Sequence, residues 1–369
     1  MINLKLKAEF ETQSNPFVVK LFKKGFSPEN DLDEKQIAFY EQDISYLKVE
    51  FQNQIFKIYL KEQDDFHGDV ILCIPEASRV QRLIRSNSKN NTILFTERCD
   101  QMCAMCSQPP KSSIDKWRFP HYQKAIELSN IDSVIGISGG EPTLYKKELF
   151  KILLNSIEKR PDVKFHILSN GQHFEDSDIE TLKKLNEGTE ILWGIPLYSA
   201  DKALHDEIVG KKGAFDLLMQ NLFLIASAGT SIELRTVLMK KNALELTELS
   251  KFISKNLPFI SKWAIMALEP IGFAKANYKE LFFDHSVAKF PIQNSLDIAE
   301  ANFIRAQLYN FPLCTLDKKY RDKCAKSISD WKNKYIDNCF KCDFKDDCCG
   351  FFEWYNEKWS WEKISPIKL

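Results

Sequence analysis

No stretch of this sequence runs through the ~20 consecutive apolar residues that a membrane-spanning helix needs, so no membrane association is expected. The opening run Met1-Ile2-Asn3-Leu4-Lys5-Leu6-Lys7-Ala8-Glu9 alternates apolar and polar residues and lacks the unbroken apolar centre of a signal peptide. Charge of one sign is not in excess either: Lys plus Arg and Asp plus Glu both number 51. Without a global positive field, nucleic acid is not expected as the main partner, although a local basic groove would escape such a count. Nothing recurs at a period of roughly 20 to 50 residues, which argues against a solenoid.

What is there suits a globular protein. A chain of 369 residues, 44% of them hydrophobic, can bury one large core and carry smaller attachments. The ten Cys are concentrated at 99–106 and 314–349, a clustering that suits metal binding in a reducing compartment better than disulfides. A cytoplasmic location is therefore expected. Cys73, inside the apolar run Asp69–Ile74, reads as a core thiol.

Three regions follow from the patterning. Residues 1–90 hold alternating stretches such as Tyr46–Phe51 and Ile55–Leu60, which predict half-buried strands and a small β-rich N-terminal domain. The polar run Ser86–Asn91 reads as a linker. From 91 to 295, short apolar segments near 92–96, 133–138, 163–168, 190–195, 231–238 and 262–267 alternate with amphipathic stretches such as Tyr145–Lys159, Asp176–Leu185 and Ala214–Ala226. That alternation predicts βα units around a parallel sheet. Residues 296–369 form a Cys-rich C-terminal extension.

Directly after the strand Thr92–Phe95 comes Cys99-Asp100-Gln101-Met102-Cys103-Ala104-Met105-Cys106, three thiols in one short loop. A [4Fe-4S] cluster normally takes four Cys, so three would leave one iron open to a ligand. Zinc sites use separated Cys pairs or a nearby His, and no His lies between His67 and His121. A disulfide in so short a loop would be strained. Spacing alone leaves cluster, zinc and unliganded core thiols open.

The Cys-x3-Cys-x2-Cys pattern, followed by Gly139-Gly140-Glu141-Pro142 after the second βα strand, resembles the signature of radical S-adenosylmethionine enzymes. The resemblance implies a partial (β/α)6 barrel of the TIM type, with both motifs at the C-terminal ends of strands, where such barrels gather functional groups. It implies that Cys99, Cys103 and Cys106 hold a [4Fe-4S] cluster whose open iron is chelated by the amino and carboxylate groups of S-adenosylmethionine. Reductive cleavage there gives a 5′-deoxyadenosyl radical. The Gly139–Pro142 segment would contact the cofactor's amino group, the glycines letting the backbone approach it closely. Ser169-Asn170-Gly171 resembles a ribose-contacting segment, and Ser199 a polar contact on the fourth strand; each is also ordinary turn chemistry. Arg235 sits in the apolar strand Leu234–Leu238, where an unpaired charge would be expensive to bury; the cofactor carboxylate or an internal Glu would serve as its partner. Met105 departs from the aromatic residue common before the third Cys in that family.

In the extension, Cys339-x2-Cys342-x5-Cys348 resembles part of the auxiliary-cluster region of peptide-modifying radical enzymes, in shortened form, with Cys314 as the upstream fourth ligand. One auxiliary iron–sulfur cluster is expected, with a four-Cys zinc site as the alternative. Cys349, adjacent to Cys348, is not expected to ligate beside it, and Cys324 stays unassigned. Trp331, Phe351, Phe352, Trp354 and Tyr355 read as a packed hydrophobic layer. Four stretches, Leu94–Cys99, Met105–Pro110, Leu268–Ala274 and Ser327–Lys332, resemble more closely the radical enzymes of the His-Xaa-Ser system, proposed maturases encoded beside small proteins with His-Xaa-Ser repeats.

That resemblance implies a ribosomally made peptide or small protein as substrate and a reducing electron donor, and it leaves room for a partner maturase. Two other readings compete. One is a radical enzyme acting on a nucleoside or other small molecule; the other is a non-catalytic, metal-stabilised binding protein, which would need neither the Gly-Gly-Glu-Pro turn nor Arg235.

Overall fold

The computed structural model describes residues 4–26, 34–89, 91–112, 114–356 and 361–369. Met1, Ile2 and Asn3 of the opening run and Asn90 of the linker stretch lie outside them.

Seven strands begin the chain: β1 (Lys5–Phe10), β2 (Phe17–Lys23), β3 (Ile37–Gln42), β4 (Tyr46–Phe51), β5 (Gln54–Tyr59), β6 (Val70–Ile74) and β7 (Arg79–Ile84). They close into a barrel in the order β1-β5-β4-β3-β2-β6-β7. Alternation explains the interior: Leu6 and Ala8, Leu47 and Val49, Phe56 and Ile58 point inward and are buried together. Cys73 is fully buried among them, and burial pushes its thiol pKa up. β2 and β6 are buried on both faces. Their outward residues Val18, Val70, Leu72 and Ile74 join Ile93, Phe95, Phe119 and Tyr122 in the main core of the protein. The barrel is thus packed into the rest of the molecule through its wall.

The second sheet contains β8 (Asn91–Thr96), β9 (Val134–Gly139), β10 (Lys164–Leu168), β11 (Ile191–Pro196), β12 (Ser231–Val237), β13 (Lys262–Met266), β14 (Ala306–Tyr309) and β15 (Cys324–Ala325). They lie side by side in sequence order, every neighbouring pair parallel. The six strands expected from the sequence are all here. β14 and β15 extend the sheet beyond residue 295.

One face carries Ile135, Ile137, Phe165, Ile167, Trp193, Ile195, Leu234 and Trp263, all buried. Amphipathic helices such as Lys146–Lys159, Ala214–Ser227 and Leu246–Asn256 supply the matching apolar stripe. The register puts a different set on the opposite face: Gly136 beside His166, Gly194 beside Glu233, and Glu233 beside Lys262. The sheet thus has one apolar face covered by helices and one that carries polar and charged groups.

Beyond β15, a two-stranded ribbon of β16 (Asn333–Lys334) and β17 (Phe351–Phe352) organises the C-terminal extension. Phe351 packs on Tyr355 and Trp361, and Phe352 stacks on Trp354. Arg85, just ahead of β8, reaches both carboxylate oxygens of Asp330 at 2.9 and 3.0 Å, joining the start of the sheet to the extension. No helix among the described residues is long and apolar enough to cross a membrane.

Phe95 stacks on Phe119 at 4.5 Å where barrel wall, β8 and helix Phe119–Glu127 meet. Phe95→Ala is expected to cost about 3 to 5 kcal/mol in urea unfolding. A single transition should persist, because barrel and sheet share that core.

Candidate functional site

The loop after β8 is fixed along its whole length by main-chain bonds. Gly140 N donates to Thr96 O (2.8 Å) and Glu141 N to Arg98 O (2.7 Å), zipping the Gly139–Pro142 turn onto the start of the Cys loop. Midway, Met102 N and Ala104 N donate to Val209 O and Ile208 O, at the end of helix Lys202–Val209. At the far end Phe273 N donates to Cys106 O (2.8 Å). The loop needs so many outside partners because it forms no helix or strand of its own.

The glycines also serve the chain's own packing. A β-carbon on Gly140 would collide with the Arg98 carbonyl, and one on Gly139 with that of Thr96. The close approach they permit is therefore to the backbone of the Cys loop itself. Gly272, at φ +60°, does the same at the other end, where a β-carbon would meet Cys106 O at 2.5 Å. That position belongs to the Leu268–Ala274 stretch.

Glu141 is wholly buried and tied to two strands. Its carboxylate accepts from Thr143 N (2.8 Å), Thr143 Oγ1, Ser169 Oγ (2.9 Å) and Asn170 N (2.5 Å). Burial pushes its pKa up despite these donors. Ser169 and Asn170 thus meet the Gly139–Pro142 turn through Glu141.

The Asn170 amide donates in turn to Asp100 Oδ1 (2.8 Å) in the Cys loop, where Lys211 and His173 also converge. Burial would raise the Asp100 pKa, but His173, Lys211 and Asn170 outweigh it and hold the carboxylate well below its usual range. Ser199 is buried at the β11 end, its hydroxyl accepting from Asp201 N (3.0 Å).

The three loop thiols are half-buried. Burial, helped by Cys106 at Cys99 and by both other thiols at Cys103, pushes Cys99 to about 11 and Cys103 to about 12. Three thiols that repel one another's thiolate forms, next to Asp100 and Glu141, call for a cationic centre. Among the described residues no three His, Cys, Asp or Glu side chains stand as a closed ligand set for one ion. The ligands of a cubane bind different irons and need not converge on one ion, so three thiols in one loop have the donor chemistry that a cluster takes. Met105 is buried with Tyr198, Ile208, Met239 and Tyr278, packing the underside of the loop.

Arg235 has its partner on its own strand. Two residues apart on one face, Arg235 and Glu233 are ion-paired, and Arg235 Nη2 lies 3.1 Å from Met266 Sδ. Lys262 Nζ stands 2.7 Å from the other Glu233 oxygen, and His166 Nε2 lies 3.2 Å from the oxygen that Arg235 meets. Burial of Glu233 would raise its pKa, yet His166, Arg235 and Lys262 hold it well below the normal range. Lys262 also donates to Tyr309 Oη (3.2 Å), which donates to Gln307. Sequence reading missed Asp100, Lys211, Glu233 and Lys262. Glu233 was within reach of the period-two rule, whereas Lys262 needed the register.

In the extension, Cys314, Cys339, Cys342 and Cys348 line one cavity. Cys348 accepts from Leu313 N and Gly350 N (both 3.4 Å) and from the Cys349 thiol, which lowers it to about 6. Cys349 is not among the residues lining the cavity; its sulfur also lies 3.3 Å from Phe311 O, buried with Ile328 and Phe352. Cys324 does not line the cavity; burial pushes it to about 12.

Comparison with known proteins supplies an independent view. Residues 93–253 match the model of the radical SAM superfamily. The antilisterial bacteriocin subtilosin biosynthesis protein AlbA of Bacillus subtilis (strain 168) is 22% identical over 165 residues, which span 43% of this chain and 35% of AlbA. Among solved structures, Streptococcus suis SuiB aligns at a TM-score of 0.48 and 20% identity, over 61% of this chain and 50% of SuiB. Native anSMEcpe with bound AdoMet aligns at 0.46 and 18%, over 59% and 62%. The chain spans about a third of AlbA and half of SuiB.

Two substitutions test this geometry. Gly140→Ala is expected to destabilise by about 1 to 3 kcal/mol through overpacking, and to make Cys99 alkylate faster in the native protein. Glu233→Gln leaves Arg235 and Lys262 without their counter-charge and should cost about 3 kcal/mol at pH 7. Because the folded Glu233 pKa is depressed, its contribution is complete above the unfolded value of about 4.3. The gap between wild type and Glu233→Gln in urea unfolding should therefore shrink as pH falls below that value.

Proposed function

We propose that this protein, whose residues 93–253 match the model of the radical SAM superfamily, is a radical S-adenosylmethionine enzyme that starts the modification of a peptide or small protein. The observation that carries the reading is the zipper between the Gly139–Pro142 turn and the Cys loop. It holds three thiols at the C-terminal end of the first parallel strand, beside the ends of β9 and β10. With a [4Fe-4S] cluster on Cys99, Cys103 and Cys106, bound S-adenosylmethionine would supply a 5′-deoxyadenosyl radical for hydrogen abstraction.

The chain's own contribution is placement and exclusion of water. Gly139, Gly140, Glu141 and Pro142 form the wall nearest the cofactor's amino group, with Glu141 stiffening that wall. Ser169 and Asn170 frame the ribose side and Ser199 the next strand end. Arg235, balanced by Glu233, offers its guanidinium to a carboxylate. We read β8 to β13 with their helices as the partial (β/α)6 barrel of a domain covering 91–295, flanked by a β-rich domain (1–90) and an extension (296–369). Cys314, Cys339, Cys342 and Cys348 are assigned to an auxiliary iron–sulfur cluster.

A peptide substrate with His-Xaa-Ser repeats is favoured by the Leu268–Ala274 and Ser327–Lys332 stretches, which meet through the Lys332–Glu269 ion pair at 3.1 Å. AlbA, named for making a bacteriocin, is in keeping with it. The reaction requires a one-electron donor, and a partner maturase remains part of the proposal. A grip on substrate by the N-terminal barrel is better tested with surface substitutions than by deleting it, because deletion would strip Ile93, Phe95 and Phe119 of their cover.

Reconstituted anaerobically with iron and sulfide, reduced and given S-adenosylmethionine, the protein should form 5′-deoxyadenosine. The Cys99→Ala/Cys103→Ala/Cys106→Ala variant should form none. A zinc-loaded protein that never assembles a cluster would refute the enzymatic reading.

A further inference from the structure

The cavity that gathers Cys314, Cys339, Cys342 and Cys348 has a second wall, made by Ile364, Ser365, Pro366 and Ile367. This short segment is anchored on both sides of the cavity. Before it, Trp361 Nε1 donates to His285 Nδ1 (3.0 Å), Glu362 N to Asp284 Oδ2 (2.7 Å) and Lys363 N to Ser286 Oγ (3.0 Å). After it, Asp343 N donates to Ile367 O (3.0 Å), while the Asp343 carboxylate accepts from Leu369 N (3.0 Å) and Lys368 Nζ (3.1 Å). Between these anchors the backbone turns a donor to a cavity sulfur: Ile367 N lies 3.3 Å from Cys342 Sγ.

We propose that Ile364–Ile367 is a strap that closes the four-thiol site and whose main-chain N–H at Ile367 holds the sulfur of Cys342 in its metal-binding state. The inference rests on the assignment of those four Cys to a metal. Thiolates gathered in an apolar cavity are costly unless their charge is met. A metal meets most of it, and N–H donors meet part of the rest. The strap supplies one such donor without adding charge, and its Ile and Pro side chains keep water from the site. The same bond draws electron density from sulfur, one of the factors that set a cluster's potential. Cys348 receives the corresponding donors, Leu313 N and Gly350 N, from its own side of the cavity. Ile367 is thus a positioning residue through its backbone.

The test uses the full chain carrying Cys99→Ala/Cys103→Ala/Cys106→Ala, so that any metal held is held in the extension. One portion is loaded with iron and sulfide and another with zinc, and metal content separates the two identities. Ile367→Pro removes the N–H that faces Cys342; Ile367→Ala keeps it. Metal loss to a chelator should be about tenfold faster or more in Ile367→Pro, the scale expected when an outer partner of a ligand is removed, and near the parent rate in Ile367→Ala. With an iron–sulfur cluster, the midpoint potential should also shift to a more negative value in Ile367→Pro alone. Equal loss rates in all three proteins would overturn the strap while leaving the four-thiol site standing. Equal acceleration in both variants would overturn the role of the N–H. A parent that binds neither iron nor zinc would overturn the metal assignment and the strap with it.

Discussion

Two main-chain hydrogen bonds, Gly140 N to Thr96 O and Glu141 N to Arg98 O, are the constraint on which the rest of the site depends. They lie between segments that follow neighbouring parallel strands, so the register of β8 on β9 is carried past the strand ends into the loops. The two glycines make that continuation sterically feasible. Glu141 then passes the constraint to β10 through Ser169 and Asn170, and Asn170 returns it to the Cys loop at Asp100. The polar groups form a closed circuit in which each member orients the next, the arrangement under which buried networks become rigid.

Electrostatics on the polar face of the sheet follow a similar economy. One carboxylate, Glu233, faces Arg235, Lys262 and His166, and those neighbours more than offset its burial. The set is richer in positive than negative groups, in a chain whose overall charge is zero. A local excess of this kind favours anionic groups at that face without making the outer surface basic.

Much of this was legible in the sequence, and the reasons are physical. Six parallel strands announce themselves because a strand flanked by helices is short and apolar and the helices between are long and amphipathic. The Cys loop and the Gly-Gly-Glu-Pro turn were readable because their chemistry sits in contiguous residues. Closure of the N-terminal barrel was not: alternation marks each strand, but closure depends on pairings such as parallel β2 and β3, which leave no local trace. The glycines were singled out, but their closeness to the Thr96 and Arg98 carbonyls was not readable, since sequence shows that a β-carbon is missing and not what fills its place. The segment 364–367 carries no motif, and only its position opposite the four thiols gives it meaning.

Sequential strand order also has a consequence for how the protein is made. Each strand from β9 to β15 pairs with the one synthesised just before it, so the sheet can extend one crossover at a time as the chain emerges, with little entropy spent on closing long loops. The join between Arg85 and Asp330 spans 245 residues and must wait until nearly the whole chain exists. Assembly therefore has a natural last step, in which the Cys-rich extension settles against a scaffold already complete.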